Sequence, residues 1–540
     1  MTPTDVYASF EAMREAVNEL RDADAVQRWW DRDASLWSDD ADVQAAVADR
    51  LGWMDVAGGQ PGWSTRLREL ADAVEADDID RIVLAGMGGS SLAPEVFASI
   101  FADQSQTELV VLDSTHPDVV REILPDEGLD TTLVVVSSKS GTTAETRAFA
   151  LRAERHVPST RHLAAITDPD SNLATEAAAR GWREVFTNPA DIGGRYSALS
   201  LFGMAPAALI GVDIDAVWRS GAAMLTACGP AQDTIDNPAL VLGAFMGGFA
   251  RTGRDKLTIL TSPALSTFGD WLEQLIAEST GKQGTGVVPV VGEPVAAPGV
   301  YGDDRAFVVI DHRADPVPGI DELEAAGYPV LRITLDDRHD IGGEFVRWEA
   351  ATALAGVLLG IDPFDQPNVA ESKQNTNDVL DEVAGGEALP APENGDVDEL
   401  LASIEPGDYV SIQSYLAPDP KIDGGITELR MILRDNLKVA TTNGWGPRFL
   451  HSTGQLHKGG PDTVVVLQLV DVPSEDVEIP DHEHGFATLI RAQALGDLRS
   501  LRSHDRRVVQ RRVDGPADIV RLIADARAVL HKPMTGSDSI

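Results

Sequence analysis

The sequence holds one cysteine, Cys228, in 540 residues. Neither a disulfide framework nor a thiolate metal cage can be built from it. Cys228 ends the apolar run AAMLTAC and reads as a small buried hydrophobe. Positive charge is also scarce, with 44 Lys+Arg against 86 Asp+Glu and a formal net charge of -42. A chain this acidic is a poor partner for nucleic acid or an anionic membrane surface. Only eight of the 44 cations are lysines. No stretch of 18 uninterrupted apolar residues occurs, so no transmembrane span is expected. The opening MTPTDVYASFEAMREAV lacks a basic n-region and an apolar h-region. It predicts no signal peptide and makes a cytoplasmic location the default. What remains, 43% apolar and 24% charged residues, is the composition of a folded protein of several domains.

The hydrophobic patterning predicts an α/β protein. Residues 1–75 read as helical, because FEAMREAVNEL puts Phe10, Met13, Val17 and Leu20 on one face. Trp29, Trp30, Trp37 and Trp53 in that segment read as packing residues. From 76 the pattern changes to short buried strands, RIVLAG, TELVVLD, TTLVVVSS and HLAAIT, with helical stretches between them. That alternation predicts a doubly wound parallel sheet over 76–225. DKLTILTS, AFVVIDH and YPVLRITL predict a second such unit over 226–380. Residues 381–407 read as an exposed linker, and 408–540 as a C-terminal α+β region. The basic run RSLRSHDRRVVQRR reads there as a solvated helix face or intersubunit contact.

The sharpest local signal is VVVSSKSGTTAET, residues 134–146. A strand runs into Ser138, Lys139, Ser140, Thr142 and Thr143, and a helix follows. Small residues expose backbone N–H groups, hydroxyls donate, and the helix N-terminus adds partial positive charge, which is the construction a phosphate needs. The order GxxxxGK[ST] is absent, so this is not a Walker loop. The turn AGMGGSSLAP has the same strand–glycine–helix design. There Gly88 and Gly89 would let a ligand approach the backbone and Ser90 would donate to it. On one sheet the two loops form two walls of a crevice at the strands' carboxyl ends.

Five motifs in order, GMGGSSLAP (86–94), SSKSGTTAET (137–146), DIGGRYSALSLFG (191–203), AESTGK (277–282) and FDQPNVAESK (364–373), resemble the glucose-6-phosphate isomerases, built from two sugar-isomerase (SIS) units. GWGPRFLHSTGQLHKGGPD (444–462) looks like the isomerase half of bacterial transaldolase–isomerase fusions. Nothing before residue 76 is long enough for the transaldolase barrel, so only the isomerase is expected. The resemblance implies aldose–ketose isomerisation of glucose 6-phosphate and fructose 6-phosphate through a cis-enediolate, without metal or organic cofactor. It also implies a homo-oligomer, usually a dimer, acting on a small sugar phosphate. A dual phosphoglucose/phosphomannose isomerase and a non-catalytic sugar-phosphate sensor are the alternatives.

Residue by residue, the resemblance makes Glu278 the base, Arg195 the cation beside the enediolate, and Gly194 the residue that admits the sugar. Gly89, Ser90, Ser138, Lys139, Ser140, Thr142 and Thr143 match phosphate-binding positions. Gln366 and Lys373 match a late phosphate- and ring-contacting pair. Four of the eight lysines, Lys139, Lys282, Lys373 and Lys458, fall in the motifs and suggest a local positive cluster.

Two departures from the family pattern stand out. Its late signature has a small residue where Asn368 stands and Glu where Ala370 stands, with Glu371 one place later. The ring-opening histidine expected after Gly292–Glu293–Pro294 is missing, because VAAPGVYGDDRAF contains none. HSTGQLHKGG supplies two candidates instead, His451 and His457.

Overall fold

A computed structural model describes residues 1–232 and 235–530. The apolar runs become strands whose two faces are both covered, so they read as continuous hydrophobic stretches. The first sheet has the order β2-β1-β3-β4-β5, from β1 (Arg81–Gly86), β2 (Glu108–Leu112), β3 (Thr132–Ser137), β4 (Leu163–Thr167) and β5 (Glu184–Thr187). Register pairs Gly86 with Ser137, so the loops after β1 and β3 leave adjacent carboxyl ends. The second sheet has the order β7-β6-β8-β9, from β6 (Lys256–Thr261), β7 (Val288–Val290), β8 (Arg305–His312) and β9 (Val330–Leu335). These two doubly wound parallel sheets are the α/β units the patterning led us to expect.

The C-terminal region differs from expectation. β10 (Tyr409–Tyr415), β11 (Ala440–Trp445), β12 (Val464–Val470) and β13 (Arg507–Arg512) form a third sheet, ordered β11-β10-β12-β13. Every neighbouring pair in it is parallel, so this part is α/β and not α+β. β13 lies inside the basic run read as a helix face. Two of the arginines there are paired with acids, Arg506 with Asp462 at 2.9 Å and Arg507 with Asp408 at 2.7 Å. The stretch expected as a linker is also structured in part. Its helix Val397–Ala402 buries Val397, Leu400 and Leu401 in the core of the third sheet.

The N-terminal helices pack on the first two sheets through one continuous core. Met13, Val17 and Leu20 are buried as the helical period required, and Phe10 meets Phe249 edge-on at 5.4 Å. Trp29 stacks on Trp53 at 6.1 Å, and Trp53 on Tyr196 at 5.8 Å. The helical segment thereby reaches the GGRYS loop. The third sheet joins through a second patch, where Tyr409, Ala440, Leu456, Val464 and Val466 meet Ala277, Val288 and Val290. Among the described residues no helix is long and apolar enough to cross a membrane.

One core residue carries a measurable cost. Glu349, on the buried helix Ile341–Leu359, is 2% exposed, and its Oε1 has no hydrogen-bond partner. Burial raises its carboxyl well above the ordinary value, so the folded protein holds it protonated where the unfolded chain does not. The native state then binds more protons, and stability falls as pH rises from the unfolded value of about 4.3 toward the folded one. Glu349→Gln should remove that slope. Thermal unfolding at pH 5 and pH 8 should show the variant gaining on the parent as pH rises, and parallel curves would contradict the assignment.

Candidate active site

Six stretches of chain from the units of three sheets meet at one cavity of about 320 Å³. The first sheet contributes the turn after β1 (Met87, Gly88, Gly89, Ser90) and the loop after β3 (Ser137, Ser138, Lys139, Ser140, Thr143), with Thr146 in the first turn of the helix Ala144–His156. Gly194 and Arg195 enter from the GGRYS loop. The helix Ser266–Thr280 that follows β6 brings Gln274 and Glu278. Gln366 and Lys373 come from the start of the helix Pro367–Ala384, and His451 from the loop after β11.

Twelve of the fourteen residues singled out from the sequence line this cavity, and Thr142 and His457 do not. Thr142 points into a smaller neighbouring cavity and shares its hydroxyl with Ser140 at 2.9 Å. His457 is buried under the third sheet, with Nδ1 3.1 Å from Gln413 and Nε2 3.3 Å from Ser411. Burial, helped by Lys458 and Arg506, pushes its imidazole down to about 3, so it stays neutral. The lysine cluster is smaller than the motif count suggested. Lys139 and Lys373 line the cavity, while Lys282 and Lys458 are buried braces. Lys282 donates to the carbonyls of Asp362 and Asp365 at 2.8 and 2.7 Å, and Lys458 pairs with Asp497 at 2.7 Å.

The two glycines after β1 serve packing more than ligand approach. A Cβ on Gly89 would lie 2.1 Å from the Gly194 carbonyl oxygen, and one on Gly88 2.8 Å from the Gln274 amide. Gly88 also holds φ +55, in the left-handed region. Gly194 is different, because a Cβ there would meet nothing within 4 Å and would project into open space.

Arg195 is 3% exposed and fully engaged. Its Nε donates to Ser279 Oγ at 2.7 Å and its Nη2 to the carbonyls of Pro363 and Asp365 at 2.6 and 2.9 Å. Nη1 donates to Gln366 Oε1 at 3.2 Å and lies 3.7 Å from Glu278 Oε1. The hydrogen-bond acceptors are neutral, so the positive charge remains available to the cavity. Burial raises the Glu278 carboxyl above the ordinary range, an effect that Arg195 beside it only partly offsets. A carboxylate so raised is suited to taking a proton near neutral pH.

Several functional groups carried no readable sequence signal of their own. Gln274 sits one helical turn before Glu278 and donates to its Oε2 at 3.1 Å and to the His451 carbonyl at 2.7 Å. Its i, i+4 spacing from Glu278 is the one clue the sequence offered. Glu145 accepts from His451 Nε2 at 3.0 Å and from Gln493 at 2.7 Å. Burial works to raise the Glu145 carboxyl, but His451 outweighs it and holds the group below the ordinary range, so it is ionised. Lys139 pairs with Asp168 at 2.5 Å and donates to the Ala190 carbonyl at 2.8 Å. Ser137 Oγ, Thr146 Oγ1, Asp168 Oδ1 and Gln274 Oε1 are buried without a hydrogen-bond partner. Buried polar atoms are rarely left so. Four of them around one cavity mark it as built for a polar ligand.

A parallel α/β fold with a hydroxyl-rich loop at a helix N-terminus, facing a buried carboxylate–guanidinium pair, defines a sugar-phosphate-handling protein of the SIS type. Comparison with known proteins agrees. Residues 63–303 match the family model described as "Phosphoglucose isomerase". The probable glucose-6-phosphate isomerase of Natronomonas pharaonis is 31% identical over 354 residues, which cover 57% of this chain and 81% of that protein. The crystal structure of the hypothetical protein TT0462 from Thermus thermophilus superposes with a TM-score of 0.55 at 26% identity, covering 70% of this chain and 97% of that one. The glucose-6-phosphate isomerase of Chlamydia trachomatis shares the fold, with a TM-score of 0.50 at 20% identity over 65% of this chain and 78% of its own. The chain belongs to the phosphoglucose isomerase family.

The unpartnered Thr146 hydroxyl separates binding from stability. Thr146→Val removes a buried group that bonds nothing in the free protein, so the melting temperature should hold or rise. Binding of fructose 6-phosphate, followed by calorimetry, should weaken about tenfold, the worth of one hydrogen bond to a charged partner. Unchanged affinity would mean that the ligand does not reach this hydroxyl.

Proposed function

We propose that this protein interconverts glucose 6-phosphate and fructose 6-phosphate, with the cavity of Glu278, Arg195 and His451 as its active site. The observation that carries the reading is the buried Glu278–Arg195 pair, 3.7 Å apart, in the same cavity as the hydroxyl-rich phosphate loop. A sensor of sugar phosphates would need the loop but neither the base nor its cation, and nothing at the site favours acceptance of the C2 epimer.

In this reading Ser90, Ser138, Ser140 and Thr143 donate to the phosphate, and the N-terminus of the helix Ala144–His156 supplies partial positive charge. Lys139 adds a cation at the rim. His451, backed by the ionised Glu145, moves a proton between the ring oxygen and the C1 hydroxyl and so opens the sugar. Glu278 takes the proton from C2 of the open aldose, and the electrons left behind form the enediolate. Arg195 Nη1 stabilises the negative oxygen, and its fixed acceptors mean that it need not reorganise as that charge appears. The C2 hydroxyl proton passes to O1, and Glu278 then returns the carbon proton to C1 as the C2 carbonyl forms, which gives the ketose. Gln274, bonded both to Glu278 and to the His451 carbonyl, holds base and ring-opening loop in one geometry.

A coupled assay of glucose 6-phosphate formation from fructose 6-phosphate by the purified chain tests the activity. Glu278→Gln should lower kcat by at least about 10³-fold, with ligand affinity within a few-fold, because proton transfer alone loses its base. The base must be ionised, so the parent's rate should fall with falling pH through a limb above the ordinary carboxylate range. A variant that keeps full turnover would remove Glu278 from the mechanism.

A further inference from the structure

The two places where the late signature departs from the family pattern both face the third sheet's unit, which carries His451. Asn368, in the position of a small residue, meets Gln455, four residues after His451. Gln455 is fully buried. Its Nε2 donates to the Asn368 Oδ1 at 2.8 Å and to the Gly281 carbonyl at 2.9 Å, and its Oε1 accepts from the Asn368 backbone N–H at 2.9 Å. Both amide hydrogens and the amide oxygen are used. Glu371, displaced by one position from the family's Glu, accepts from Ser500 Oγ at 2.9 Å and lies 2.9 Å from His504 Nε2. It also accepts from the Asn368 side chain at 3.4 Å and from Ser503 Oγ at 3.5 Å.

One amide therefore touches three stretches that end in the proposed machinery. Gly281 lies three residues after Glu278, Asn368 two after Gln366, and Gln455 four after His451. The joint is tight. A Cβ on Gly459 would lie 2.6 Å from the Asn368 Oδ1, 2.7 Å from the Gln455 amide nitrogen and 2.9 Å from the Gly281 oxygen. A Cβ on Gly281 would lie 2.4 Å from the Leu456 Cα. Neither a larger neighbour nor a rotated amide fits.

We propose that Gln455 is a positioning residue, and that Asn368 and Glu371 are its complement, together fixing the relocated histidine against the base and the Gln366 loop. The late-signature departures and the move of the histidine into the third unit are then one change. Here the histidine comes from another sheet, and its distance to Glu278 depends on a contact made outside the cavity. The proposal rests on the catalytic reading above.

Steady-state kinetics of fructose 6-phosphate isomerisation by the full chain, with thermal unfolding of each variant, tests it. Gln455→Leu keeps the volume and removes all three bonds. It should lower kcat about 10²-fold, the cost of a misplacement near 1 Å, with KM within about threefold because the phosphate loop lies in another unit. Asn368→Ala restores the family's small residue at a half-buried position, yet it should lower kcat on the order of tenfold. The double variant should lose no more than Gln455→Leu alone, because both act through one joint. A purely structural role would lower the melting temperature and leave kcat of the folded protein unchanged. Wild-type kcat in either folded single variant, or losses that multiply, would overturn the clamp. If Gln455→Leu does not fold, Asn368→Ala decides. Glu278→Gln measured alongside separates the two readings: if it is inactive while both joint variants run at full rate, only the clamp fails. If it is active, the catalytic reading fails instead.

Discussion

The Arg195 guanidinium is the constraint around which the rest of the structure is arranged. A buried cation is tolerated only when each N–H finds an acceptor and the ring of acceptors does not itself cancel the charge. Here Ser279, the Pro363 and Asp365 carbonyls and Gln366 supply those acceptors from two separate stretches of chain. Neutral dipoles hold the guanidinium, so its charge is left for Glu278 and for whatever anion forms beside them. Lys282 steadies the same carbonyl-bearing loop from below, donating to Asp362 and Asp365. The N-terminal helices belong to the same support. Trp29 stacks on Trp53, Trp53 on Tyr196, and Arg195 lies 5.5 Å from the Tyr196 ring. A segment remote from the chemistry in sequence thus backs the residue nearest to it.

This arrangement reconciles the net charge of -42 with an anionic ligand. The acidic excess lies largely at the surface, where water screens it and where it keeps large polyanions away. Inside the cavity the balance is local. Lys139 is held by Asp168, Arg195 by neutral groups, and Lys373 is exposed at the rim. Helix N-terminal N–H groups and serine and threonine hydroxyls line the rest of the cavity, and they need no counter-charge. Under the proposed function, a chain with eight lysines needs few of them for a phosphate, because dipoles carry most of the contact.

The hydroxyl-rich loop, Glu278 and Arg195 were readable as candidate cavity residues because each sits in a short contiguous motif. β1, β2, β3, β4, β6, β8 and β9 were readable for a similar reason, since each is an apolar run long enough to break the helical period. β5 and β7 are four and three residues long, too short to show a period, and β13 hides in a basic run as an edge strand with charged neighbours. The parallel character of the third sheet depends on pairing between distant segments, which composition does not report. Glu145 and Gln274 escaped because their neighbours act from far along the chain: His451 lies 306 residues from Glu145, and Gln274 meets the His451 carbonyl 177 residues away. His451 and His457 could not be separated from sequence, since one stretch of seven residues holds both. Burial separates them, because one faces the cavity and the other is sealed beneath β10.

What the third sheet adds is more than a histidine. His451 arrives on a loop whose Arg448 pairs with Glu95 and lies 3.3 Å from Asp113, so the loop is fastened to the first sheet's unit three residues before the histidine. Its carbonyl takes a hydrogen bond from Gln274, which also holds Glu278. Its ring meets Glu145, which Gln493 of the third unit reaches from behind while Gln493 accepts from Thr115. Each tie crosses from one unit to another, and none lies wholly within the third. Among the described residues, then, the cavity has no complete wall on the histidine side until all three sheets are docked. Rigid docking of that kind suits proton transfer, where a donor displaced by an ångström loses most of its rate. The same docking explains why the patch between Tyr409, Val464 and Val466 and Ala277, Val288 and Val290 is apolar and buried while the ties around it are polar. The patch supplies the energy of association without direction, and the hydrogen bonds supply direction at little net energy.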